Sequence, residues 1–266
     1  MDNVNTERFS GKADVYARAR PGYAAEAIDY IYRALPPRRS LRGLADAERG
    51  RELPGQAADN AVFADVGAGT GKFSELIARR GGEIFCVEPN GDMRTQLSLT
   101  LAAYPNAHIT DGTAENTTLP DGCADAVVCA QAFHWFDPDA YRRECERILA
   151  PGGKIFIVYN SDRSVRGNEL DWCESYAAHS ALRNEREIAR RAFFGGYVLT
   201  AEFPNPVRYD RSGFAAFMLS HSGSPSDGDE HYARFTGSVN AIFDRESVGG
   251  LLVREFVTTV YSDSRR

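Results

Sequence analysis

No stretch of this 266-residue chain approaches the roughly 20 consecutive apolar residues that cross a bilayer. Residues 1–20 are polar and charged, without the apolar core of a secretion signal. The expectation is a soluble, cytoplasmic protein with no membrane partner. Cysteine is sparse: Cys86, Cys123, Cys129, Cys145 and Cys173 are odd in number, and no two stand in C-x-x-C spacing. A disulfide framework or zinc knuckle is therefore not expected. Cys86 and Cys129 lie inside apolar runs and read as small buried hydrophobes in a reducing compartment. Nor is positive charge concentrated. Lys and Arg total 31 against 37 Asp and Glu, a formal charge of -6, and the basic residues are scattered, so no nucleic-acid partner is expected. His108, His179, His221 and His231 share no ligand spacing, and no metal site is expected.

What the chain does contain is rhythm. Between about 60 and 160, short β-branched runs at 61–66, 83–87, 107–110, 124–130 and 154–159 alternate with stretches at 70–80, 92–104 and 138–149 whose apolar residues recur at helical intervals. Such alternation predicts an α/β fold with a doubly wound, mostly parallel sheet. The helix from 138 opens on Asp137-Pro138, an N-cap followed by a first-turn proline, and ends before Pro151-Gly152-Gly153. Ahead of this core, 23–35 reads as a helix and 36–56, rich in Pro, Arg and Gly, as a mobile linker. Behind it, 170–193, 214–219 and 231–243 read as helical, while 251–261 alternates like a strand at the sheet edge.

The strongest local signal is the apolar strand ending in Asp65-Val66-Gly67-Ala68-Gly69-Thr70-Gly71, a glycine turn that opens a helix. Glycines there let a ligand lie against the backbone and supply free N–H groups. Glu88 follows about 20 residues on, at the end of the next strand, where a doubly wound fold carries the acid that holds a ribose diol. Spacing narrows the ligand class. A dinucleotide fingerprint from Gly67 needs glycine where Lys72 stands, and one from Gly69 needs glycine at Ser74. A phosphate loop ending at Gly71-Lys72 needs glycine at Val66 and a hydroxyl at Phe73. Both fit badly.

On these residues the chain resembles the class I S-adenosylmethionine-dependent methyltransferases, and within them the type 11 group that includes enzymes similar to trans-aconitate methyltransferase. The resemblance implies a single domain over 1–266: an N-terminal cap at 1–35, the linker at 36–56, a donor-binding core at 57–160, a helical lid with acceptor-side insertions at 161–250, and an edge strand and tail at 251–266. It also implies seven strands with an antiparallel edge, a Rossmann-like fold. The donor S-adenosylmethionine would be held by Asp65, Gly67, Gly69 and Gly71 at its methionyl part and by Glu88 at the ribose, with Ala68 and Pro89 also in its binding site. Asp111-Gly112-Thr113-Ala114-Glu115 resembles the adenine loop, which brings in Thr113, Ala114 and Glu115; Thr113 stands where many relatives carry Asp. Residues 124–136 resemble the fourth strand and the loop facing the sulfonium, with Gln131 at the donor and His134-Trp135-Phe136 as candidate base and aromatic walls. Phe9-Ser10-Gly11, Tyr16 and Arg20-Pro21-Gly22-Tyr23 resemble the cap segment, making Tyr16 and Arg20 candidates to close over a small-molecule methyl acceptor. The implied enzyme works as a monomer or homodimer. A non-catalytic binder of the same donor and a nicotinamide oxidoreductase are the alternatives.

Overall fold

The computed structural model describes residues 19–36, 61–164, 170, 172–173, 183–221 and 223–264. The linker expected at 36–56, except Pro36, and Tyr16 lie outside them. The elements, in chain order, are α1 (Ala25–Ala34), β1 (Val62–Val66), α2 (Lys72–Arg79), β2 (Glu83–Val87), α3 (Gly91–Leu101), β3 (Ala107–Thr110), β4 (Ala124–Ala130), α4 (Pro138–Ile148), β5 (Leu149–Asp162), α5 (Arg183–Phe193), β6 (Val198–Tyr209), α6 (Arg211–Leu219), α7 (Tyr232–Glu246) and β7 (Leu252–Asp263). One short 3-10 turn, Phe133–Trp135, follows β4.

The seven strands form one sheet in the order β3-β2-β1-β4-β5-β7-β6. β3, β2, β1, β4 and β5 run parallel, and β7 is antiparallel to both β5 and β6. Strand order reverses between β1 and β4, which opens a crevice at their carboxyl ends. β1 and β4 are buried almost throughout because helices cover both faces, which is why they read as continuous apolar runs. One face packs α1, α2 and α3 residues such as Ile31, Ile77 and Leu97; the other packs Tyr141, Ile148 and Phe194. All five cysteines are free, with Cys86 and Cys129 in the core.

The strand from 252 is not at the edge. It lies inside the sheet, and the edge is β6, a strand absent from the sequence expectation. Pro204 and Pro206 interrupt the β6 pattern and look like breakers, yet an edge strand has one side that needs no ladder N–H, so prolines are tolerated there. Of the helix expected over 170–193, Arg183–Phe193 is helical and Leu170 and Cys173 belong to a turn, the Cys173 N–H donating to the Leu170 carbonyl at 2.9 Å; 171 and 174–182 lie outside the described residues.

A third apolar cluster sits beyond the carboxyl ends of the parallel strands. Phe256 pairs with Asp162, the last residue of β5, whereas Leu252, paired with Tyr209, stands four residues earlier in β7 and so lies past the end of β5. Tyr209, Leu252 and Phe256 pack there with Phe214, Phe217, Phe235, Phe243, Leu170 and Ala19, forming a cap. The segment before α1 is tied to the same end. Asn160 and Asn205 both donate to the Gly22 carbonyl, at 2.7 and 2.8 Å, and the Ala24 N–H donates to the Thr258 hydroxyl at 3.0 Å.

The loop between β3 and β4 is fixed from α4. Glu144 Oε1 accepts from the Thr117 N–H at 2.7 Å, the Thr117 hydroxyl at 2.5 Å and Arg147 at 2.6 Å. Arg147 bonds, followed by those from Thr117, hold the Glu144 carboxyl down to about 2. An unfolded glutamate titrates near ~4.3. Because the folded value is depressed, the stabilisation is complete above pH ~4.3 and is lost as pH falls toward 2. Glu144→Gln is expected to cost about 1.5–3 kcal/mol at pH 7, with the gap to the native chain closing across that acidic window in urea unfolding. A gap independent of pH would show that Glu144 contributes by packing alone.

Candidate functional site

The turn after β1 needs left-handed backbone at Gly67, Gly69 and Gly71, whose φ angles are +74°, +57° and +87°. Two of them also need the missing side chain. A Cβ on Gly67 would stand 2.6 Å from Ala132 Cβ and 3.0 Å from Phe136 Cζ, and one on Gly71 would stand 2.7 Å from Leu97 Cδ1. Gly69 is different, since nothing lies within 4 Å of its would-be Cβ. Its backbone faces open space at the mouth of the crevice. The turn is anchored by the Gly67 and Ala68 N–H groups, which donate to the Val87 carbonyl at 2.9 and 3.1 Å.

Glu88 follows directly at the end of β2. Its Oε2 accepts from the Gly69 N–H at 2.8 Å and its Oε1 from the Asn90 N–H at 3.0 Å. Burial raises its pKa, while these two N–H groups and the Arg94 charge act in the opposite direction. Each carboxylate oxygen keeps a second lone-pair direction, so the group can still accept from a ligand diol. Arg94 donates both to the Glu88 carbonyl at 2.8 Å and to Asp111 at 2.9 Å, joining the turn after β2 to the loop after β3.

Asp65, wholly buried at the end of β1, accepts from the Ser74 hydroxyl at 2.6 Å through Oδ2. Among the described residues its Oδ1 has no hydrogen-bond partner. Burial, with a smaller contribution from the Glu88 charge, pushes the carboxyl up to about 7 against the Ser74 bond. An unpartnered buried oxygen beneath an open glycine turn suits a ligand that brings hydrogen-bond donors.

The loop after β3 lies beside β2, where a Cβ on Gly112 would meet Val87 Cγ1 at 3.0 Å. Ala114 is buried, Thr113 is exposed with its hydroxyl accepting the Asn116 N–H at 3.2 Å, and Glu115 accepts the Asp137 N–H at 3.1 Å. Gln131, just beyond β4, has φ +63°, a conformation that non-glycine residues rarely hold without a compensating contact. Its N–H donates to the Val158 carbonyl at 2.9 Å and its side chain to the Asn160 carbonyl at 3.1 Å. One residue further, Ala132 rests on Gly67, so the ends of β1 and β4 meet.

Asp65, Gly67, Ala68, Gly69, Gly71, Glu88, Pro89 and Gln131 thus gather at the carboxyl ends of β1, β2 and β4, with Thr113, Ala114 and Glu115 on the neighbouring loop. His134 lies three residues past Gln131 and is bonded to Tyr159, Nδ1 to hydroxyl, at 2.9 Å. Arg20 belongs to the cap: its guanidinium donates to the Ser220 carbonyl at 3.1 Å and lies 5.8 Å from the Phe217 ring centroid. Ser74, Arg94 and Tyr159 were not foreseen. Ser74, buried, and Arg94, half-buried, lie within helices and Tyr159 in an apolar strand, and no sequence signal marks them. Among the described residues no group of three His, Cys, Asp or Glu could hold a metal ion, and no helix is long and apolar enough to cross a membrane.

Comparison with known proteins adds to this geometry. Residues 64–157 match the family described as a methyltransferase domain. An uncharacterized methyltransferase of Mycobacterium tuberculosis strain H37Rv is 35% identical over 164 residues, which are 62% of this chain and 55% of that protein. An uncharacterized methyltransferase-like protein of Schizosaccharomyces pombe is 34% identical over 117 residues, 44% of this chain and 43% of its own. The chain therefore spans about half the length of the curated relatives it matches. Among solved structures, a candidate type II methyltransferase from Anaeromyxobacter dehalogenans superposes with a TM-score of 0.59 at 19% identity, over 92% of this chain and 97% of that one. A candidate methyltransferase of an antibiotic biosynthesis pathway from Anabaena variabilis gives 0.54 at 19% identity, over 92% and 98%. At such identity the likeness concerns the fold.

The contrast between two glycines gives a direct check. Gly69→Ala should cost only the left-handed backbone penalty of about 1–2 kcal/mol, whereas Gly67→Ala adds overpacking against Ala132 and Phe136 for a total of about 2–4 kcal/mol. Equal losses in denaturant unfolding would contradict the packing described around Gly67.

Proposed function

We propose that this chain is a class I methyltransferase, a reading supported by the methyltransferase-domain match at residues 64–157, and that it transfers the methyl group of S-adenosylmethionine to a small-molecule acceptor. The observation that carries the proposal is the Glu88 carboxylate beside an open Gly69, behind a glycine turn whose spacing suits neither a dinucleotide nor a P-loop phosphate. In this reading Asp65, Gly67, Ala68, Gly69 and Gly71 hold the methionyl part, Glu88 and Pro89 the ribose, and Thr113, Ala114 and Glu115 the adenine. Gln131 lies toward the sulfonium.

S-adenosylmethionine supplies a methyl group already activated on a sulfonium. The chain's own work is then to align an acceptor lone pair with the methyl carbon and to keep water out, and positioning of this kind can contribute several kcal/mol. A new bond to the methyl carbon forms as the sulfur–carbon bond breaks, giving methylated acceptor and S-adenosylhomocysteine. An acceptor hydroxyl or ammonium must also lose a proton, whereas a carboxylate need not. We assign the acceptor side to the loop carrying His134 and to the cap, with Tyr16 and Arg20; the apolar cluster beyond the strand ends supports a small, enclosed acceptor.

S-adenosylhomocysteine at one hundred times its dissociation constant should stabilise the protein by about 2.7 kcal/mol, raising Tm by roughly 5–10 °C. The proposal fails if calorimetry finds no binding of donor or product while a nicotinamide dinucleotide binds. Glu88→Ala should weaken product binding by about 1.5–3 kcal/mol, or roughly 10- to 150-fold, in the same titration. An unchanged dissociation constant would remove Glu88 from the ribose.

A further inference from the structure

We propose that Tyr159 is a positioning residue that fixes the neutral His134 imidazole with its proton on Nε2, making His134 a hydrogen-bond donor to the acceptor rather than the base that deprotonates it. The argument is an accounting of hydrogens around one buried oxygen. Tyr159 sits in β5 and is 7% exposed, so its hydroxyl must find partners inside the protein. That oxygen accepts the His134 backbone N–H at 3.3 Å and lies 2.9 Å from His134 Nδ1.

A tyrosine hydroxyl has one hydrogen to give. Around Tyr159 the other groups are poor takers. The Arg190 guanidinium, with its carbon 4.2 Å from the ring centroid, and Arg186 can only donate. Cys129 offers a sulfur, which is a weak acceptor, and that sulfur is already approached by the Ala132 and Phe133 backbone. Among the described residues His134 Nδ1 is the remaining acceptor of ordinary strength.

The Tyr159 O–H therefore donates to Nδ1, Nδ1 carries a lone pair, and the neutral ring bears its hydrogen on Nε2, since the bond made by one ring nitrogen sets the state of the other. Were Nδ1 protonated instead, two N–H groups of His134 would converge, beside the cationic Arg190 guanidinium over the ring, on the tyrosine oxygen. Its own hydrogen would then be left buried with only the sulfur to meet.

The arrangement is held from outside the site. Arg190 is 7% exposed and donates to Glu187 at 2.9 Å, and Glu187 also accepts from the Tyr261 hydroxyl. The guanidinium carbon lies 4.2 Å from the Tyr159 ring centroid and 5.3 Å from that of Tyr261. α5 thereby holds the β5 tyrosine that orients the loop after β4. The ring of His134 is further set by Trp135, 4.5 Å away between centroids.

The role of the donor N–H toward an acceptor rests on the methyl-transfer reading, but the tautomer itself does not. The test is a long-range nitrogen–proton correlation spectrum of the full chain labelled with 15N-histidine, recorded without donor near pH 8, where a histidine of ordinary pKa is neutral. His134→Asn identifies the His134 signals by their loss. The expected result is a protonated-type Nε2 and an unprotonated-type Nδ1. Tyr159→Phe, checked for an intact fold by circular dichroism, should then move both nitrogens toward the averaged values of a tautomer mixture. A protonated Nδ1 in the native chain, or a Tyr159→Phe spectrum identical to the native one, overturns the inference. Product binding is measured separately, so a chain that shows the expected tautomer yet binds no S-adenosylhomocysteine would overturn the methyl-transfer reading instead.

Discussion

The Glu88 carboxylate accepts one backbone N–H from the turn after β1 and one from the turn after β2, and the geometry of the crevice follows from that double acceptance. Gly69 can offer its N–H only in a left-handed conformation, so the glycine and the acid impose conditions on one another. Asn90 extends the link, because its side chain caps α3 by accepting the Met93 N–H at 2.9 Å while its own N–H engages Glu88. Arg94, one turn into α3, reaches back to the Glu88 carbonyl. Three loops from different strands thus share one chain of hydrogen bonds, with the acid at its centre.

On the far side of β1 the constraints are steric. Ala132 and Phe136 fill the space a side chain on Gly67 would need, so the loop after β4 packs onto the turn as closely as backbone allows. Gln131 adopts its positive φ to deliver that loop, and its bond to the Asn160 carbonyl carries the coupling into β5. Asn160 in turn holds Gly22, and Thr258 donates to Asn160 at 2.6 Å. The antiparallel half of the sheet, which has no counterpart in the glycine turn, is in this way joined to it through side chains.

How much of this could be read from residues alone varied with the kind of constraint. β1, β2 and β4 were legible because burial on both faces demands unbroken apolar runs, and the Asp137-Pro138 start of α4 because cap chemistry is local. The glycine turn and Glu88 were legible for a similar reason: the fold dictates their separation along the chain. β6 was hidden by Pro204 and Pro206, which are incompatible with a central strand and acceptable only once its edge position is known. With β6 missing, the strand from Leu252 was given the edge that β6 occupies. Arg94 and Tyr159 act on partners brought near by folding, and nothing in their neighbours along the chain distinguishes them from a surface arginine or a core aromatic. The bond from Arg20 to the Ser220 carbonyl joins residues 200 apart in the chain, and no local signal announces it.

The prolines of β6 have a consequence for how copies of this molecule meet. A sheet edge ordinarily offers a row of N–H and C=O groups to any passing strand, and growth by strand addition is the common route to ordered aggregates. Here two positions of the same parity, Pro204 and Pro206, have no hydrogen to offer, and Glu202 and Arg208 flank them as exposed charges. An incoming strand would forfeit two rungs and desolvate two ions along the middle of the edge. The feature that concealed the strand from its sequence also closes the sheet's flank to templated growth, leaving the opposite edge, the four-residue β3, as the shorter template for an incoming strand.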